Sequence, residues 1–310
     1  MNFLRRTIRY FILFISVSTM LLADLSFSSI PQEKIEDTDK YNLGKRLFFD
    51  QNLSSDKTIS CATCHILSQG GTDNLRISLG VEGRKGKINT PTIFNTKYNI
   101  AKDWAGEYTT IKKRSKMAFL NPIEMDGNYK DLIKYIESDS YLKEEFFNIY
   151  TELTKDNIFD SIAYFVSTLT TPNSKFDNYL DAKVSLNQNE KKGYKLFKSY
   201  GCVSCHNGVN VGGNMYQKFG IFNDDYIYRD ENLGRYEVTG KESDKYVFKV
   251  PSLRNITKTA PYFHNGATKN LKDTIYKMGE YQLGVEIPDK DIILIETFLK
   301  TLEANVSYEN

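Results

Sequence analysis

Cysteine and histidine are scarce in this chain of 310 residues, which carries four of the first and three of the second. Neither charge sign dominates: 41 Lys and Arg face 39 Asp and Glu, a formal net charge of +2. Beyond the N-terminus no Lys/Arg run forms a stripe, so the composition gives no reason to expect a nucleic-acid partner and points to a protein or small molecule. Tryptophan occurs once, as Trp104, and long apolar runs are confined to the N-terminus.

What little cysteine there is falls into one pattern used twice, Cys61-Ala62-Thr63-Cys64-His65 and Cys202-Val203-Ser204-Cys205-His206. C-x-x-C by itself serves zinc sites, dithiol redox centres and disulfides. A histidine directly after each pair singles out c-type haem attachment, in which the two sulfurs hold the macrocycle and the imidazole ligates iron. No other cysteine remains to complete a zinc ribbon. Two covalently bound haem c groups are therefore expected, held by Cys61, Cys64 and His65 and by Cys202, Cys205 and His206. Only His264 is left over, so at least one iron cannot be bis-histidine. A Met sixth ligand would make a haem an electron relay, whereas an open sixth position would bind oxygen species or peroxide.

Met1 to Arg9 carries three arginines, residues 10–22 are apolar, and Ala23-Asp24 follows. This is the basic, apolar and small-residue order of a secretory signal, expected over residues 1–23, with an uncleaved anchor as the alternative. Export to the periplasm agrees with haem attachment outside the inner membrane. The remaining length suits two domains, 24–172 and 173–310, each burying one haem. Two echoes support the division. Gly44-Lys45-Arg46-Leu47-Phe48 precedes the first motif and Gly193-Tyr194-Lys195-Leu196-Phe197 the second; Pro91-Thr92-Ile93-Phe94-Asn95 follows the first and Pro251-Ser252-Leu253-Arg254-Asn255 the second. Three- and four-residue apolar spacing predicts helices over 130–150, 157–170, 188–200, 271–278 and 289–302, with Asn187 and Asp289 as N-caps. Strand signals are brief, the best at 246–250, and residues 70–86 and 201–220 read as irregular glycine-rich loops. The fold class expected is mainly α, two c-type cytochrome domains with long irregular loops and a linker near 171–174.

Over essentially the whole mature chain the sequence resembles the bacterial dihaem cytochrome c peroxidases. The matching segments include Asn89-Thr90-Pro91-Thr92, Asn121-Pro122-Ile123-Glu124-Met125, Val250-Pro251-Ser252-Leu253-Arg254-Asn255, Pro261-Tyr262-Phe263-His264-Asn265-Gly266 and Met278-Gly279-Glu280-Tyr281-Gln282-Leu283-Gly284. The resemblance implies reduction of hydrogen peroxide to water with electrons from a monohaem cytochrome c or small copper protein, and commonly a homodimer. It puts Glu124 in the distal carboxylate position, where a carboxylate can move a proton between the peroxide oxygens. Met278 takes the axial position of the C-terminal haem, and Trp104 lies between the haems, although the usual W-D-G-R is here Trp104-Ala105-Gly106-Glu107. Asn89 with the carbonyls of Thr259 and Pro261 matches an interdomain calcium site, and oxygen donors suit that cation. His264 is expected to hydrogen-bond near the second haem.

One departure is informative. Where members that need reductive activation carry a histidine that caps the N-terminal iron, Ser78-Leu79-Gly80-Val81 offers valine, which cannot ligate a metal. An open N-terminal iron and activity without prior reduction are the expected consequences. Two other readings share the scaffold. A MauG-like oxidase acting on a protein substrate is disfavoured by Met278, since that subfamily uses Tyr there. A non-catalytic dihaem electron carrier would be expected to saturate both irons.

Overall fold

The computed structural model describes residues 26–223 and 231–304. The expected signal segment, residues 1–23, lies outside the described residues. Among the described residues no helix is long and apolar enough to cross a membrane.

Two helix pairs organise the molecule, and each carries the glycine of the first echo inside its first helix. Helix α1 (Thr38–Phe49) is capped by Asp37, whose carboxylate accepts from the Lys40 amide. It buries Leu43, Leu47 and Phe48 against α6 (Lys155–Thr168), which supplies Ile158, Phe159, Ile162 and Phe165. In the second half α8 (Gln188–Ser199) buries Tyr194 and Phe197 against Ile292, Ile295 and Phe298 of α11 (Asp289–Leu299). At about 1.5–3 kcal/mol for each large apolar side chain removed from water, these two seams carry much of the stabilisation. A Cβ at Gly44 would stand 2.0 Å from the Ser161 carbonyl oxygen, and one at Gly193 would stand 1.9 Å from that of Leu294. Each glycine is where its helix touches backbone across the seam, which is why the motif repeats.

The second echo also resolves into one device used twice. Asn95 and Asn255 both take the left-handed conformation, with φ of 59° and 55°, and each precedes a single 3₁₀ turn. The Asn95 amide bonds to the Leu169 carbonyl at 2.9 Å and its side-chain oxygen accepts from the Thr171 amide at 2.8 Å. The Asn255 amide likewise bonds to the Leu302 carbonyl at 3.3 Å and its side-chain oxygen accepts from the Ala304 amide at 2.8 Å. Each asparagine thus fastens the haem-motif segment of its half to the chain leaving the last helix of that half. Asparagine tolerates this conformation better than most residues because its short side chain bonds locally.

The remaining helices are α2 (Cys61–Cys64), α3 (Ile111–Leu120), α4 (Tyr129–Ser138), α5 (Ser140–Ile149), α7 (Lys175–Leu180), α9 (Tyr236–Thr239) and α10 (Leu271–Met278). The continuous helix expected over 130–150 is two helices. Asp139 is extended, and its carboxylate accepts from the Tyr141 and Leu142 amides to cap α5, so the local cap wins over continuation. Asn187 caps α8 as expected, in a reciprocal box with Glu190. At α11 the N-cap is Pro288 and Asp289 is the first helical residue, where its charge still complements the helix dipole. The strand signal at 246–250 becomes β2 (Val247–Lys249), antiparallel to β1 (Tyr216–Lys218) with Tyr216 opposite Lys249. The segment near 171–174 is fastened, since Thr171 and Ser174 are buried and Ser174 caps α7. Phe27 precedes the first half in sequence yet packs in the second core against Phe176, Tyr194 and Phe197.

Candidate active site

Helix α2 presents the first motif. Ser60 opens it with a capping box to Thr63, and the His65 amide closes it on the Cys61 carbonyl. His65 Nδ1 lies 3.1 Å from the Gly71 carbonyl oxygen. In the tautomer that donates this bond the ring is oriented and Nε2 keeps its lone pair for a metal. Burial pushes the Cys61 thiol up to about 12 and the Cys64 thiol to about 11. Both cysteines are free, so no disulfide occupies the pair.

Glu124 faces this motif. Its charge and that of Arg114 both act on His65, Cys61 and Cys64, although burial dominates the lowered basicity of His65. The carboxylate is held from two directions. One guanidinium nitrogen of Arg114, on α3, donates to both Glu124 oxygens at 3.1 Å, and Asn121 Nδ2 donates to Oε1 at 2.9 Å. The carboxylate of Glu124 raises the affinity of Arg114 for its proton even against burial, the first influence on that group. Glu124 follows the end of α3 because Asn121 terminates that helix and then turns the chain, accepting the Glu124 amide on its carbonyl and the Ile123 amide on its side chain. The three side chains form one fixed polar cluster beside an otherwise apolar motif. Sequence reading singles out Glu124 and gives Arg114 and Asn121 no role; their spacing of ten and three residues carries no signal until the end of α3 folds them together.

Val81 sits on the back of this segment. It is fully buried and its amide donates to the Glu124 carbonyl at 3.0 Å. A Cβ at the preceding Gly80 would stand 1.9 Å from the Ile123 carbonyl oxygen, so the 78–86 loop lies directly on the Glu124 turn. Arg84 pins the other end through Asp126 at 2.8 Å.

The second motif lines a cavity with residues distant in sequence. His206, Cys202 and Cys205 share its wall with Met278 at the end of α10, with Trp104 and with His264. Met278 is positioned where α10 passes into a π turn, Gly279–Leu283, a local widening common at functional positions. His206 Nδ1 is buried toward the Pro251 and Val211 carbonyls without reaching hydrogen-bond geometry, and desolvation pushes the imidazole down to about 4. The largely apolar wall, two free cysteines, a neutral imidazole and a thioether suit a haem far better than a hydrated cation. His264 is buried, its ring stacked on Phe248 at 4.0 Å.

Trp104 joins the halves. It is buried, its indole N–H donates to the Asn89 carbonyl at 2.9 Å, and its own carbonyl accepts from the Lys249 amide at 2.9 Å. Asn89 in turn receives no slack: its side-chain nitrogen donates to the Leu75 carbonyl at 2.9 Å and its amide to the His264 carbonyl at 2.7 Å. Asn89, Thr259 and Pro261, the expected calcium ligands, lie along the same cavity. Among the described residues no group of three or more His, Cys, Asp or Glu could hold a metal ion.

The family model for di-haem cytochrome c peroxidase matches residues 38–185. A cytochrome c551 peroxidase of Nitrosomonas europaea is 42% identical, covering 96% of this chain and 92% of its own. The chain belongs to the dihaem cytochrome c peroxidase family. The cytochrome c peroxidase Ccp of Escherichia coli is 40% identical over 88% of this chain, which spans 60% of that longer relative. Among solved structures, a MauG-like protein associated with microbial copper homeostasis superposes with a TM-score of 0.80 at 25% identity, covering 89% of this chain and 93% of that one. Membership makes the protein a peroxidase-type oxidoreductase related to MauG, and implies haem cofactors.

Proposed function

We propose that this protein is a periplasmic dihaem peroxidase that takes one hydrogen peroxide, two protons and two electrons to two waters. The observation that carries the reading is the Arg114–Glu124–Asn121 cluster facing the His65 motif. Cys61, Cys64 and His65 would hold one covalently bound haem c, and Cys202, Cys205, His206 and Met278 the other. When bound, the haem irons supply the redox equivalents and the Lewis acidity for peroxide.

Glu124 acts as the proton carrier. Its carboxylate would accept a proton from one peroxide oxygen and deliver it to the departing one, so that water leaves in place of hydroxide. Arg114 holds both carboxylate oxygens and places a permanent cation beside the bond that breaks, while Asn121 fixes the carboxylate's rotation. Trp104, hydrogen-bonded to residues of both halves, would couple the two haem sites electronically. The donor is a monohaem cytochrome c or a small copper protein. Met278 in the second pocket, where the MauG-like oxidases use tyrosine, favours an electron relay over oxidation of a protein substrate.

Replacing Glu124 by Gln keeps the shape and removes the base. Steady-state peroxide turnover with a reduced cytochrome donor should fall by about 10²- to 10⁴-fold, with two haems per chain retained in the pyridine haemochrome assay. Unchanged turnover removes Glu124 from the mechanism. Asn89 and the carbonyls of Thr259 and Pro261 are the ligands proposed for calcium. Chelation with EGTA should then lower turnover, calcium should restore it and magnesium should not, because calcium, the larger cation, accepts a less regular oxygen set.

A further inference from the structure

Two cations are deeply buried in the described residues, Arg254 and Lys249, at 1% and 4% exposure. Their environments differ sharply. Arg254 has a full set of partners, including Asp177 at 2.6 Å and the Val209 carbonyl at 2.8 Å. Lys249 has neither a carboxylate nor a carbonyl within hydrogen-bonding distance of its ammonium, whose recorded neighbour is the Trp104 ring, 5.9 Å to the centroid. Lys102 makes the contrast plainer. Burial pushes it down to about 8, as it does Lys249, yet its ammonium donates to the carbonyls of Thr96, Lys97 and Asn99 at 2.8, 3.3 and 2.6 Å.

A buried, unpaired ammonium costs several kcal/mol, so folded proteins rarely keep one without an anion. Asp103, the acid that acts most on Lys249, already accepts the Glu107 and Tyr108 amides at 3.2 and 3.1 Å. Lys249 instead lines the cavity that holds His206 and Met278, as does the Trp104 ring its ammonium lies over. Strand β2 fixes it there: the Lys249 amide is tied to Trp104, and Phe248 beside it is stacked on His264. The cofactor this cavity suits brings two anionic groups of its own, the propionate carboxylates at the edge of the porphyrin.

We infer that Lys249 is a haem-binding residue, its ammonium pairing with a propionate of the haem in the His206–Met278 pocket. This rests on the reading that haem occupies that pocket. The pair satisfies the buried ammonium and places one positive charge at the haem edge, which favours the ferrous state. It also puts the charged edge of the cofactor beside Trp104, so one residue fixes the haem's orientation relative to the aromatic bridge.

The test is a spectroelectrochemical titration of the holoprotein with Lys249→Met and Lys249→Arg. The midpoint potential of the Met-ligated haem should fall in the Met variant and stay near its original value in the Arg variant, the other haem being unmoved in both. Equal potentials in all three proteins, with two haems per chain present, overturn the inference. A chain that carries no haem at Cys202 and Cys205 would instead overturn the reading of the pocket. Should Lys249→Met fail to mature, a crystal structure of the unaltered holoprotein decides. An ammonium within 4 Å of a propionate oxygen supports the pair, and one beyond that distance ends it.

Discussion

At the scale of single residues the first motif is specified by what stands beside His65 and by what does not. Glu124 is fixed by Arg114 and Asn121, so its carboxylate is presented in one orientation. Val81 has no atom able to ligate iron, and it is buried behind the Glu124 turn with its amide bonded to that residue's carbonyl. An iron held by His65, as proposed, is therefore expected to lack a protein ligand in its sixth position even when both haems are ferric. Electron paramagnetic resonance of the fully oxidised holoprotein should show a high-spin ferric signal, and peroxide consumption should begin without a lag whether or not the enzyme was first reduced. Two low-spin haems and nothing else would contradict this. The Cys-x-x-Cys-His motifs were legible from sequence because attachment chemistry demands adjacent residues. Arg114 was not, because an ion pair across a helix end leaves no mark on spacing, and Lys249 was not, because burial of a lysine cannot be read from its neighbours.

At the scale of elements the repeated motifs turn out to be packing instructions. Gly44 and Gly193 lie near the middle of α1 and α8, each against backbone of the helix it crosses. A methyl group at either point must push two helices apart, because the atom it meets is a carbonyl oxygen that cannot rotate away. Gly44→Ala and Gly193→Ala should each cost about 1–3 kcal/mol, the ordinary penalty for overpacking a filled core, even though alanine is the better helix former. Thermal denaturation of the holoproteins measures it, and a rise in melting temperature for either would show that the seams are looser than these distances imply. Sequence periodicity located α6, α8 and α10 because each buries one continuous stripe. It missed the break at Asp139 for a physical reason: the apolar spacing continues through 130–150 while a single carboxylate captures the next two free amides. Similarly, Phe27 belongs to the second core, a tertiary choice that local composition does not encode.

At the scale of the whole molecule three separated stretches of chain meet on one side chain. Arg254 donates to Asp177 at 2.6 Å, to the Val209 carbonyl at 2.8 Å and to the Ser28 carbonyl at 3.1 Å. Asp177 uses the same carboxylate to receive the Ile30 amide at 3.1 Å and, on its other oxygen, the Ser174 amide at 3.0 Å. The entering chain, the segment between the halves and the loop after the second haem motif are thus tied to one ion pair, both of whose side chains are essentially out of water, at 0% and 2% exposure. Removing one partner leaves the other as an uncompensated charge, which typically costs 3–5 kcal/mol; removing both costs less, because the desolvation penalty disappears with the pair. Arg254→Met should therefore lower the unfolding free energy of the holoprotein in urea by about 3–5 kcal/mol, and the double change Arg254→Met with Asp177→Leu should recover part of the loss. Because Val209 is three residues beyond His206, the single variant should also broaden the spectrum of the second haem, while the cluster around Glu124, in the other half, keeps its turnover per correctly loaded molecule. If instead the double variant is as unstable as the single one, the hydrogen bonds to Val209 and Ser28, and not the charge pair, hold the three stretches together.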